Sequence, residues 1–253
     1  MYKRLLSIIK ISRPLNVLIV FLTIIIAGFI CSKNNEIPPP VFLAALSASF
    51  IAAAGYIIND YFDIKIDEVN RPDRPLVSGS LSLKSAIICY ITFSLAGLLL
   101  AVIINYTAFV IAILTVLLLF IYSYKIKSIT LVGNFSIAVL TGLTFIYGGV
   151  SVNNMSFAII PALFALLINF IREIVKDMED INGDMKNDIE TFPSKFGFPV
   201  AKNFIVVMSI VNPILVYVLV SIYKNDSISN LNKLSFILKL DMIFGLSAIY
   251  LGK

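Results

Sequence analysis

The chain has 253 residues, of which 59% are hydrophobic and 14% charged, with a mean hydropathy of +0.95 and a formal net charge of +5. A soluble domain is roughly 45–50% apolar and about 25% charged, so this composition excludes one and requires a polytopic membrane protein. There is no histidine, which excludes imidazole chemistry, and Cys31 and Cys89, the only cysteines, lie in or beside apolar segments and indicate neither a thiolate metal site nor a disulfide framework.

Residues 2–12 mix Lys3, Arg4 and Lys10 with Leu5, Leu6, Ile8 and Ile9, the pattern of a short helix lying on the membrane interface. The segment is too charged for a signal-peptide core and is read as part of the mature protein. Apolar runs follow at about 14–31, 41–60, 85–104, 107–124, 131–150, 155–175, 200–222 and 234–251. Runs of this length cross a hydrocarbon core of roughly 30 Å as helices, and are too long for the ~10-residue strands of a barrel. The expected fold is therefore all-α, a transmembrane bundle of eight spans forming one domain over residues 1–253. Pro38, Pro39 and Pro40 predict a stiff turn before the second span. Only Asn105 and Tyr106 separate the third and fourth spans, which predicts an antiparallel hairpin.

The connecting loops are unequal in charge. Fifteen Lys and Arg residues fall in the N-terminal arm and the second, fourth and sixth loops, against Lys33, Lys224 and Lys233 on the other side. By the positive-inside rule the protein is a multi-pass cell-membrane protein with its N-terminus and those loops cytoplasmic.

Twelve of the fifteen carboxylates lie in just two of these loops. In the first, Asn59, Asp63 and Asp67 are spaced i, i+4 and i+8, so a helix running on from the second span carries three oxygen ligands on one stripe. In the second, Asp177, Asp180 and Asp184 fall at i, i+3 and i+7. Such runs are ordinarily solvated loop charge. Acids crowded on one stripe repel each other unless a cation neutralises them, and oxygen-only ligation suits Mg²⁺. Arg71, Arg74, Arg172 and Lys176 are interleaved with the acids. Arg71 and Arg74 serve equally as positive-inside anchors, but beside carboxylates they suit a diphosphate clamp. A cation transporter also places acids in a membrane. Here they gather at one end, which suits a capped chamber better than a through-pore. The tight Asp-Gly and Ala-Arg run of a CDP-alcohol phosphotransferase is absent from the sequence.

These residues resemble the UbiA superfamily of intramembrane prenyltransferases. Its N-D-x-x-D-x-x-x-D motif stands as Asn59, Asp60, Asp63 and Asp67, followed by Arg71 to Gly79; its D-x-x-D-x-x-x-D stands as Asp177, Asp180 and Asp184 after Arg172-Glu173. Tyr122, Lys127 and Gly133-Asn134 match its fourth-loop pattern, and Arg13-Pro14 with Asn16 its first-helix signature. Nine spans are usual in the family, against the eight counted. The resemblance implies Mg²⁺-dependent loss of diphosphate from an isoprenyl diphosphate and capture of the prenyl group by a nucleophile. It assigns Asn59, Asp60, Asp63, Asp67, Asp177, Asp180 and Asp184 to the metal, with Asp63, Asp67, Asp180, Asp184 and Lys127 as catalytic residues. Asn16, Arg71, Arg74, Tyr122, Lys125, Lys127, Asn134, Tyr147, Arg172 and Lys176 are the expected substrate contacts. Phe135, Phe145 and Tyr147 are expected either to shield an allylic cation or simply to pack. Within the family, the motif runs look most like the archaeal branch whose acceptor is a lipid glycerol phosphate, with an aromatic quinone or haem precursor as the alternative. Membrane lipids are the other expected partners, and nucleic acid is not one.

Overall fold

The computed structural model describes residues 2–32, 36–186 and 190–210, without the side chains of residues 2–4, 70, 179–180, 182–186 and 206–210. The chain forms two compact units, Met1–Ala201 and Lys202–Lys253. The described residues are helical and contain no strand. The helices are α1 (Tyr2–Ile11), α2 (Pro14–Cys31), α3 (Pro39–Phe62), α4 (Ile64–Asn70), α5 (Leu83–Ile104), α6 (Tyr106–Tyr124), α7 (Val132–Ser151), α8 (Ile159–Lys186), α9 (Phe192–Phe196) and α10 (Phe198–Ile210). A single 3₁₀ turn, Ile126–Ser128, joins α6 to α7.

Five of these helices, α2, α3, α5, α6 and α7, are long and apolar enough to cross a membrane, and they coincide with the first five expected spans. The sixth expected span becomes α8, which starts at Ile159 after a turn and is charged from Arg172 onward. The seventh expected span is described only as far as residue 210, and the eighth lies outside the described residues.

Helix α3 is the centre of the first unit and packs against α2, α5, α6 and α7. Its inner positions are small: Ala44, Ala45, Ser47, Ala53, Ala54 and Gly55 are all buried. Small residues let helix backbones approach, which in lipid supplies the packing that hydrophobicity does not. On α5 the matching residue is Gly97, where an added Cβ would stand 2.6 Å from Ile51 Cγ1 and 2.9 Å from the Ser47 carbonyl oxygen. Many large apolar residues point outward instead, among them Leu15, Leu18, Leu95, Leu99, Ile103 and Leu114, while Ile24, Ile51, Ile57 and Ile58 fill the core.

The prolines before α3 do not stop it. Pro38 is its N-cap, and Pro39 and Pro40 occupy its first turn, where no intrahelical N–H is needed. The α5–α6 hairpin forms as expected around Asn105. Its side chain accepts from Ala108 N at 2.8 Å and donates to the Val150 carbonyl at 3.0 Å, tying the hairpin to the end of α7. At the same end Asn154 donates to the Cys31 carbonyl at 2.9 Å.

Candidate active site at the acidic helix ends

The first acidic stretch is not one continuous helix. α3 stops at Phe62, Asp63 takes φ −92° and ψ 5°, and α4 starts at Ile64. The backbone bonds Asp63 N to Asn59 O (3.0 Å) and Asp67 N to Asp63 O (2.8 Å) persist, so the helix bends rather than ends. The Asp63 carboxylate is held from two sides at the bend. It accepts from Asn59 Nδ2 at 2.8 Å through one oxygen and from Lys127 Nζ through the other.

The bend splits the expected stripe. Asp60 and Asp67 share Arg74, while Asn59 bonds Asp63 and Asp63 in turn pairs with Lys127. Asp60 is 3% exposed and also accepts from Arg13 Nη2 at 2.6 Å. Burial raises the Asp67 carboxyl above its ordinary pKa, against the opposing pull of the Arg74 guanidinium. At the surface, Lys10 bonds Asp73 at 3.0 Å and holds that carboxyl low.

Lys127 is carried by the 3₁₀ turn, which folds back on the start of α7. Gly133 permits this, because a Cβ there would lie 3.1 Å from both Cα and O of Lys127. Leu131 at the same joint has φ 63°, and Arg13 at the α1–α2 joint has φ 52°. Left-handed backbone at non-glycine residues costs on the order of 1–3 kcal/mol, and persists where surrounding contacts over-determine it. Burial draws the Lys127 amine down to about 8, opposed by the charge of Asp60.

The second acidic stretch comes in on α8. A cavity of about 60 Å³ is lined by Tyr122, Lys127, Thr130, Asn134, Glu173, Lys176, Asp177 and Glu190, with Ile129, Gly133 and Thr191. Asn134 donates to Asp177 at 2.7 Å. Glu173 is buried and bonds Arg172 at 2.7 Å, with Lys176 Nζ 3.9 Å away. Lys127 thus bonds the first motif through Asp63 and lines the cavity of the second beside Asp177.

The profile of the UbiA prenyltransferase family matches residues 20–227. The chain belongs to the UbiA prenyltransferase family. A digeranylgeranylglyceryl phosphate synthase from Methanobrevibacter smithii is 32% identical over 277 residues, covering 96% of each chain. A solved structure of a digeranylgeranylglyceryl phosphate synthase is 31% identical with a TM-score of 0.73, covering 100% of this chain and 99% of that one. A UbiA homolog from Archaeoglobus fulgidus bound to GPP and Mg²⁺ has the same TM-score at 19% identity, covering 94% of this chain and 85% of its own.

Within this prenyltransferase, Asn59, Asp60, Asp63, Asp67, Arg74, Tyr122, Lys127, Asn134, Lys176 and Asp177 gather at one end of the bundle. Arg172 reaches that end through Glu173, and Asn16 lies near Tyr56, whose ring meets the Arg13 guanidinium. Arg71 and Lys125 are exposed, each as the residue closing a helix. The backbone of α8 carries Asp180 and Asp184, whose side chains lie outside the described residues. Tyr147 stands apart from that end, in the packed core, as the packing alternative has it. It lies thirteen residues beyond Asn134, about 20 Å along α7 at 1.5 Å per residue, and its hydroxyl is 2.9 Å from Ser47 Oγ in the packed core. Phe135, expected inside the bundle, is half exposed and edge-on to Phe170, whereas Phe145 is buried against Ala27 and Ala162.

Glu173, Tyr56 and Thr130 also stand at this end, although the motifs assigned them no role. Glu173 carried a signal, since it stands four residues before Asp177 on the same face. Tyr56, whose ring centroid is 4.9 Å from the Arg13 guanidinium carbon, carried a weaker one, four residues before Asp60.

Proposed function

We propose that this prenyltransferase transfers a geranylgeranyl group from geranylgeranyl diphosphate to the free hydroxyl of geranylgeranylglyceryl phosphate, forming the second ether bond of an archaeal lipid. The observation that carries the reaction type is the position of Lys127 between the two acidic motifs. A diphosphate leaving group needs cations on its oxygens and carboxylates to hold those cations in place, and both are present there. The full-length similarity to digeranylgeranylglyceryl phosphate synthases supports the acceptor.

The donor set fits Mg²⁺. Asn59 and Asp63 on one side, with Asp67, and Asp177 with Asp180 and Asp184 on the other, supply hard oxygen ligands in a chain without histidine. The Archaeoglobus fulgidus relative binds Mg²⁺ together with a prenyl diphosphate. When bound, the ion neutralises charge that builds on the departing diphosphate. Lys127, Arg74 and Tyr122 would contact the diphosphate oxygens, and Asn134 holds Asp177 in orientation. The bond from the prenyl C1 to the diphosphate oxygen breaks with its electron pair. The acceptor oxygen bonds to C1 and loses its proton. The active-site loops are cytoplasmic in this reading, as the distribution of basic residues requires.

Incubating the purified protein and labelled geranylgeranyl diphosphate with geranylgeranylglyceryl phosphate, 4-hydroxybenzoate and a naphthoate in parallel tests the acceptor. The reading requires product from the glycerol phosphate alone. Product from an aromatic acid alone moves the enzyme to the quinone branch.

A further inference from the structure

We propose that Asp60 is a positioning residue: its buried carboxylate holds the guanidinium groups of Arg13 and Arg74 together as a cradle for a substrate phosphate, and it does not ligate the metal. The inference rests on the prenyl-transfer reading for the identity of that phosphate.

One oxygen of Asp60, Oδ1, accepts from Arg13 Nη2 at 2.6 Å and from Arg74 Nη1 at 3.0 Å. The Asp60 side chain is 4% exposed, while those of Arg13 and Arg74 retain 29% and 14%. The carboxylate is therefore the closed floor of the arrangement, and the guanidinium groups are its open side. Each guanidinium offers several N–H donors in a fixed plane, so the bonds to Asp60 and Asp67 leave most of each fork available to a phosphate oxygen.

Arg13 is fixed from three directions. Its backbone is left-handed, its guanidinium lies over the Tyr56 ring, and Asp60 takes one nitrogen. An arginine serving only as a membrane-interface anchor has no need of this restraint. Consecutive helix residues point about 100° apart, so Asp60 is turned away from Asn59 on α3. Asn59 bonds Asp63, and Asp63 is the residue that meets Lys127. A divalent ion on Asp60 Oδ1 would have to displace two guanidinium groups at once, whereas Asp63 and Asp67 each hold a single cation, so Asp60 is the costliest of the three to turn over to a metal.

The phosphate has two sources, the donor diphosphate and the acceptor glycerol phosphate, and steady-state kinetics separates them. KM for each substrate and the half-saturating Mg²⁺ concentration are measured for the full-length wild type, Asp60→Asn and Arg13→Lys, with Asp63→Asn as the metal control. We expect Asp60→Asn to raise one of the two KM values about tenfold or more while half-saturating Mg²⁺ moves less than about twofold. Arg13→Lys, which keeps the charge and loses the fork, should raise the same KM. The substrate affected identifies the phosphate. A rise in half-saturating Mg²⁺ with both KM values unchanged makes Asp60 a metal ligand and overturns the proposal. No change in either quantity overturns it as well. If Asp60→Asn does not accumulate folded, Arg13→Lys decides by the same two readouts. Should the wild type ignore the glycerol phosphate, the acceptor reading fails alone, and the donor KM and Mg²⁺ arms still decide the role of Asp60.

Discussion

Lys127 stands 64 positions from Asp63 in sequence, yet its amine is the direct counter-charge of that carboxylate. The composition of the fourth loop marked Lys127 as cationic and cytoplasmic, and the family pattern marked it as functional. Its pairing was illegible, because it depends on Gly133 letting the 3₁₀ turn close against α7. With the amine drawn down to about 8, its charge is present below that pH and is lost as pH rises through it. Affinity for geranylgeranyl diphosphate should therefore weaken by roughly three- to tenfold between about pH 7 and pH 9, measured by equilibrium binding. Lys127→Arg keeps its charge over that range and should flatten the decline. A wild-type profile already flat to pH 9 counts against Lys127 as a diphosphate contact. The helix period already turns Asp60 away from Asn59, but its sharing by Arg13 and Arg74 was unreadable, because those arginines lie 47 and 14 positions away in sequence.

At the level of elements, apolar run length located α2, α3, α5, α6 and α7 to within a few residues, because a lipid environment demands unbroken intrahelical hydrogen bonding. The bend at Asp63 escaped that reasoning. Spacing alone describes an ideal helix, whereas here the contacts of the carboxylate with Asn59 and Lys127 redirect the backbone. Two glycine substitutions separate scaffold from site. Gly97→Val forces a side chain into Ile51 and the Ser47 carbonyl, and should cost about 1–3 kcal/mol of stability, read as a lower melting temperature in detergent. Activity per folded molecule should change little. Gly133→Val presses on the Lys127 backbone instead, and should cut kcat/KM by about tenfold or more with a smaller thermal shift. If Gly97→Val proves the more damaging to turnover, the site is less dependent on the 3₁₀ turn than the geometry requires.

Over the whole molecule, the placement of acids was legible and their neutralisation was not. Two loops hold most of the carboxylates, and among the described residues Asp63, Glu173, Asp177 and Glu190 meet around Lys127 at one end, with many apolar residues of α2, α5 and α6 turned outward. The same charge count predicts an orientation. Asn70→Cys should react with an impermeant thiol reagent only from the cytoplasmic side, and Asn35→Cys only from the opposite side, in a background lacking Cys31 and Cys89. Inverted labelling would reverse the topology. The two acidic stretches should act as a single cation-dependent diphosphate site. The most direct test is the initial rate of geranylgeranyl transfer against Mg²⁺ concentration for the wild type, Asp63→Asn and Asp177→Asn. We expect no turnover of the wild type in excess EDTA, and a loss of about a hundredfold or more in each variant, because each removes a charge that holds cation and diphosphate together. Full wild-type turnover in EDTA, or a near-normal rate in either variant, contradicts it.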